Sequence, residues 1–191
     1  MRARRAFGFT LVEVLLALLV LALGVIGGAA MQLAALRTRH QSALLSSAAL
    51  LASGMAERMR MNAAQLQQDD SANPYLGVDY DAASGAHPAA PASLCFAPAA
   101  CSSTQLASFD IYELQQQLRT SLPGGRLVIC RDALAWNAGR QALDWACSGA
   151  PGAPIVIKLG WRGKKGDDGP APDGPRVYPP GVALSMAGAA K

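Results

Sequence analysis

The residues able to do chemistry are few and unevenly placed. Glu13 stands at the mouth of 18 uncharged residues, 14–31. A carboxylate beside hydrocarbon is costly unless a cation meets it, so Glu13 is either a first-turn acid reaching the headgroups or half of an ion pair. The four cysteines, Cys95, Cys101, Cys130 and Cys147, all follow the apolar run. The histidines are His40 and His87, no C-x-x-C occurs, and neither histidine has ligand spacing to a cysteine, which argues against zinc. An even set of cysteines in a loop-rich region suits disulfides in an oxidising compartment. Four cysteines allow three pairings. The preferred one is Cys95–Cys101, pinning a loop locally, with Cys130–Cys147 stapling two later segments. No phosphate loop, dinucleotide glycine pattern, zinc helix or Gly-x-Ser-x-Gly is present, and the carboxylates are scattered through loops. No enzyme, metal or cofactor is expected.

The apolar run dictates where the rest must go. Its apolar character continues through Gln32 to Leu36. Residues 9–36 are thus long enough to span a bilayer core as a helix, for which about 20 apolar residues suffice. Arg2, Arg4 and Arg5 precede the run and, after Glu13, no charge follows until Arg37, which places the N-terminus in the cytoplasm and exports the remainder. The same arginines dominate the charge. The chain is +4 overall, but without its first eight residues 14 basic residues face 13 acidic ones. That balance gives little support for a nucleic-acid surface. An ordinary secretory signal, cleaved after Ala30, is the plainer explanation of the basic start and apolar run. It accounts neither for Glu13 nor for a helical pattern that continues for about thirty residues more.

Residues 8–13, Gly-Phe-Thr-Leu-Val-Glu, resemble the class III signal of type IV prepilins and pseudopilins. The resemblance implies cleavage by the prepilin peptidase between Gly8 and Phe9 and N-methylation of Phe9. It makes Glu13 the acid that registers one subunit against the freed amine of its neighbour, an anion also favoured at a helix N-terminus. The implied partners are other minor pilins, the major pilin, the inner-membrane assembly platform and the lipid bilayer.

Beyond Leu36 the pattern turns amphipathic. Leu44, Ala48, Leu51, Met55 and Met59 form a one-sided stripe expected to pack on a sheet. Residues 37–68 are read as the same helix, stopping between Gln65 and Asp70. Gly24, Gly27 and Gly28 are its weakest stretch, read as either a softening point or a close-packing surface. Residues 56–62, Ala-Glu-Arg-Met-Arg-Met-Asn, and the later Leu122-Pro-Gly-Gly125 resemble the PilV-type minor pilins. Residues 69–104 read as a long loop and 105–121 as a second helix with Leu106, Phe109, Leu114 and Leu118 on its apolar face. Strands are expected at 126–131, 142–147 (weaker), 155–161 and, at an edge, 182–186. Arg162, Lys164 and Lys165 form a small basic cluster, read as a solvated turn.

The expected fold is α+β: a long N-terminal helix on a small antiparallel sheet with disulfides. The divisions are a leader at 1–8, a membrane and filament-core helix at 9–36, an amphipathic part at 37–68 and a periplasmic head at 69–191. The expected function is that of a minor type IV pilin, held in the inner membrane and then in the pilus. A type II secretion pseudopilin shares the N-terminus. A membrane-anchored periplasmic binding or enzymatic domain is the alternative of another class.

Overall fold

The computed structural model describes residues 10–96, 101–163 and 178–186. Two compact units divide at Ser42 and Ala43. The first holds the N-terminal part of α1 (Leu11–Met61). Alanine and leucine dominate this stretch, proline is absent, and α1 runs unbroken through Gly24, Gly27 and Gly28. Every described side chain from Thr10 to Ser42 is exposed. Among the described residues α1 alone is long and apolar enough to cross a membrane. The leader, the Gly8–Phe9 junction and two members of the basic cluster, Lys164 and Lys165, lie outside the described residues.

The second unit is the head. It contains the remainder of α1, a single turn α2 (Ala63–Leu66) and α3 (Ser103–Ser121). Its sheet has the order β1 (Val78–Asp81), β2 (Arg126–Arg131), β5 (Ile155–Gly160), β6 (Val182–Met186), all neighbours antiparallel. A separate hairpin, β3 (Trp136–Asn137) with β4 (Ala142–Leu143), lies between β2 and β5 in sequence.

Helix α1 contributes the expected stripe, with one shift. Ala48, Met55 and Met59 are buried, Leu44 and Leu51 are half-buried, and Ala52 and Ala56 complete the seam. The small alanines let α1 lie close to the sheet. Alternate residues of β2 and β5 meet it, Leu127 and Ile129 from one strand and Ile155, Ile157 and Leu159 from the other. From α3, Ala107, Leu114 and Leu118 close the same core. A capping box starts α3: Gln105 N donates to Ser102 Oγ at 3.2 Å and Ser102 N donates to Gln105 Oε1 at 2.9 Å. Leu122-Pro-Gly-Gly125 ends it, with Gly124 at φ 56°.

Three expectations need correction. The stretch 69–104 is not all loop. It carries β1, whose Tyr80 is buried opposite Leu127; four residues bearing two aspartates are too short and polar to stand out from their surroundings. Residues 142–147 are not a sheet strand: only Ala142–Leu143 pair, and with β3. The amphipathic helix does not continue to residue 68. Asn62 leaves helical geometry at φ −96°, ψ 51°, and α2 restarts the chain.

The outer sheet face is covered over β5, which is buried at every position. Residues 132–148, closed at their base by Cys130–Cys147, lie over it. Gly160 makes room for Trp145, whose ring would come within 2.7 Å of a Cβ there. The indole Nε1 donates to Tyr178 O at 2.5 Å, and the Arg126 guanidinium sits 4.7 Å over the ring.

Candidate functional site

At the start of α1, Thr10, Leu11, Val12 and Glu13 form a T-x-x-E helix opening. Glu13 N donates to Thr10 Oγ1 at 3.3 Å and to Thr10 O at 3.1 Å. Thr10 therefore satisfies one of the four orphan donors of the first turn. The capping signature is readable in the sequence, but the apolar run overshadows it. Glu13 is exposed and lies in the first turn, where the helix dipole favours an anion. Around it Leu11, Val12, Val14, Leu15 and Leu16 are all exposed. An uncovered apolar rod with an acid at its head can bind lipid or other apolar helices, and can take up a cation at Glu13.

In the head, the end of α1 is locked to α3 by polar groups. Arg58 Nη1 donates to Asp110 Oδ1 at 3.0 Å and Glu113 Oε2 at 2.5 Å. Tyr75 Oη donates to the other Asp110 oxygen at 2.8 Å, and Asn62 Nδ2 donates to Tyr75 Oη at 3.1 Å and to Ser103 O at 2.8 Å. Burial weighs against the Arg58 charge, but Glu113 and Asp110 outweigh it and raise its pKa. Burial pushes the Tyr75 hydroxyl up as well, so it stays a donor. This network occupies the segment that resembles the PilV-type pattern. Spacing alone makes Arg58 part of the polar complement and Asn62 a helix end; neither partner is visible there.

In the sequence Lys158 is one residue of an alternating strand end. In the structure it is 0% exposed, and its ammonium donates to Asp144 O at 2.8 Å and Ala146 O at 2.6 Å while pairing with Asp132 Oδ2 at 2.7 Å. Two carbonyls thus take protons from the ammonium, and the carboxylate balances its charge. Burial would raise the Asp132 pKa, but Lys158 and the N–H groups of Leu134 and Ser148 hold it below the usual carboxylate range.

Disulfides join Cys95 to Cys101 and Cys130 to Cys147, with Cα separations of 6.0 and 6.2 Å. Cys101 directly precedes the Ser102 cap of α3, while Cys147 follows the carbonyl of Ala146 that holds Lys158. No cluster of metal-binding side chains occurs among the described residues. His40 and His87 lie apart, His40 exposed on α1 and His87 beside Arg119 on α3.

A long apolar helix with an acid in its first turn, followed by a disulfide-bonded antiparallel head, is the architecture of the type IV pilin class. Residues 3–29 match the family model for the prokaryotic N-terminal methylation motif, and residues 30–112 match that of type IV pilin Tt1218. The two matches support a type IV prepilin-like protein. The motif implies processing by a prepilin peptidase and assembly with other pilins. No curated protein and no solved structure matches it. Residues 113–191, which carry β2 to β6, lie beyond both family matches.

Proposed function

We propose that this protein is a minor, low-abundance type IV pilin that acts in assembly or priming of the pilus, and through it in motility, adhesion or DNA uptake. Its role is structural rather than catalytic. The peptidase cuts after Gly8, Phe9 becomes the methylated terminus, and Glu13 pairs with the Phe9 amine of a neighbouring subunit. Residues 9–36 serve first as the anchor in the inner membrane, with the N-terminus cytoplasmic, and then as the filament core. The head, residues 69–191 with the α1 segment packed on it, is periplasmic until assembly carries it outward. Partners are the major pilin, other minor pilins and the assembly platform.

The observation that carries this reading is Glu13 in the first turn of α1, whose apolar N-terminal part is exposed from Thr10 to Ser42, inside a methylation motif. A charge placed beside hydrocarbon is costly unless a cation meets it, and a subunit leaving the lipid would bring one, the freed amine of its neighbour. The resemblance of residues 56–62 to the PilV-type minor pilins supports a minor role.

The test is the mass and N-terminus of the mature chain, together with its recovery in sheared pili. A chain starting at methylated Phe9 and present at low copy in pili is expected. An uncut Met1, a start near Met31, or absence from pili overturns the reading. Recovery with a secretion apparatus instead would identify a pseudopilin, which shares the N-terminal arrangement.

A further inference from the structure

Just past the apolar run of α1 stand three basic side chains, Arg37, Arg39 and His40, all exposed. Among the described residues no carboxylate pairs with any of them. We propose that they bind the phosphate groups of anionic phospholipids in the periplasmic leaflet, and so fix the depth at which the subunit is stored. The proposal rests on the reading of residues 9–36 as the inner-membrane anchor and names the lipid chemistry that holds its outer end.

Spacing puts them at the lipid surface. Residues 14–36 carry no charge and belong to one unbroken helix. At about 1.5 Å per residue that stretch is about 35 Å long, slightly more than the ~30 Å of a hydrocarbon core. With Glu13 at one boundary, Arg37 and its neighbours fall in the headgroup layer at the other. Arg37, His40 and the exposed Gln41 follow the i, i+3, i+4 spacing of a shared helix face, so they can converge on one phosphate. Arg39, two residues past Arg37, lies on the opposite side and can reach a second.

The charges select the occupant. The nearest acids in sequence are Glu13, at the opposite end of the uncharged stretch, and Glu57, in the head segment of α1. Two arginines on the exported side also run against the positive-inside preference of membrane insertion. Arg2, Arg4 and Arg5 offset them during insertion, but the proposed cut after Gly8 removes all three. The mature chain then keeps arginines at the outer end of its span, where the described residues offer them no partner. An anionic leaflet offers one. A guanidinium presents a planar fork that meets a phosphate through two parallel N–H bonds, and a surface of net negative charge draws it in. A zwitterionic headgroup carries the same phosphate with a cation beside it and is the weaker partner. Nucleic acid also offers phosphates, but Arg37 directly follows Leu36, so a duplex reaching it would have to lie against lipid.

The experiment titrates the full-length protein in detergent with phosphatidylglycerol or phosphatidylcholine and counts bound lipids by native mass spectrometry. The expected result is binding of phosphatidylglycerol well below the concentration at which phosphatidylcholine binds. Arg37→Gln together with Arg39→Gln should raise the half-occupancy concentration by about thirty-fold, at about fivefold for each arginine beside an anionic surface. The paired lysine substitutions, which keep the charge and lose the fork, should fall between. Each single glutamine substitution should give about fivefold, which keeps the test open should the double variant fail to insert. Arg140→Gln, on the β3–β4 hairpin, should change nothing. Unchanged binding in the glutamine variants, equal binding of the two lipids, or displacement of the lipid by inorganic phosphate or by a DNA duplex overturns the proposal. A mature chain that starts at Phe9 but binds no phosphatidylglycerol overturns this proposal alone and leaves the pilin reading standing. A start near Met31 removes the anchor, and both readings with it.

Discussion

Two single charges, Glu13 and Lys158, sit where a charge is expensive, and each is explained by what meets it. Glu13 has a local role as the first-turn acid of α1 and a proposed intermolecular one, and substitution separates them; its bond to Thr10 runs from the backbone N–H and survives either change. Glutamine keeps the size and helix-forming tendency of glutamate but loses the charge. Glu13→Gln should therefore leave α1 and the yield of membrane protein unchanged, yet reduce recovery in sheared pili as severely as Glu13→Ala. Normal recovery of the glutamine variant would show that the charge of Glu13 is not needed for assembly. Lys158 is met inside the head. Lys158→Met strands the Asp132 carboxylate, and unfolding by denaturant should show a loss of about 3–5 kcal/mol, the usual cost of breaking a buried pair. Asp132→Asn, which keeps an oxygen for the N–H groups of Leu134 and Ser148, should cost less. The pH dependence follows from the lowered Asp132 pKa. A carboxyl depressed by folding contributes stability above its unfolded value, and that contribution is lost as pH falls below about 4. Thermal scans of the head should show that decline in the wild type and a flatter one in Asp132→Asn. The burial of Lys158 is not legible in the sequence, because it stands between Ile157 and Leu159 as an exposed residue of an alternating strand would. What buries it is a segment 12 to 14 residues earlier, a relation that periodicity does not report.

At the level of elements, local patterns are readable and the pieces held by distant partners are not. The stripe on α1, the helix at 103–121 and strands β2, β5 and β6 follow from residue spacing and β-branched runs. β1 has no such signal; it is a strand because β2 offers its edge, with Val78 opposite Ile129 and Asp81 opposite Arg126. Asn62 can be seen as a polar helix end, but not as the donor that ties α1 to Ser103 and Tyr75. The two disulfides hold elements of different weight. Cys95–Cys101 closes a six-residue separation beside the α3 cap, whereas Cys130–Cys147 closes one of 17 residues and carries the carbonyls that hold Lys158. Longer closed loops restrain the unfolded chain more. Replacing Cys130 and Cys147 by serine should therefore cost about 2–4 kcal/mol in denaturant unfolding, and replacing Cys95 and Cys101 distinctly less. Equal losses would show that the loop over β5 is held by its polar contacts alone.

The whole molecule joins a rod with no core of its own to a head with a complete one. From Thr10 to Ser42 every described residue is exposed, while the head packs α1, α3 and both faces of its sheet from Ala43 onward. Stability is thus assigned to one part of the helix, and the proposed assembly role to the other. The apolar area of the rod gains nothing from folding the monomer, since none of it is removed from water within the chain; it is available in full to lipid or to neighbours. A chain beginning at Ala43 should accordingly be a soluble monomer with both disulfides formed and an unfolding midpoint within a few degrees of the full-length head in detergent. The core stripe of α1 begins at Leu44 and Ala48, so this cut leaves it whole. A cut at Ala56 would remove Ala48, Ala52 and Met55 from the centre of the core and should prevent folding, at about 2–5 kcal/mol for a buried methionine alone. If the chain from Ala43 proved molten or aggregated, the rod would be contributing to the head's stability. The separation of roles, on which a filament subunit stored in lipid depends, would then be lost.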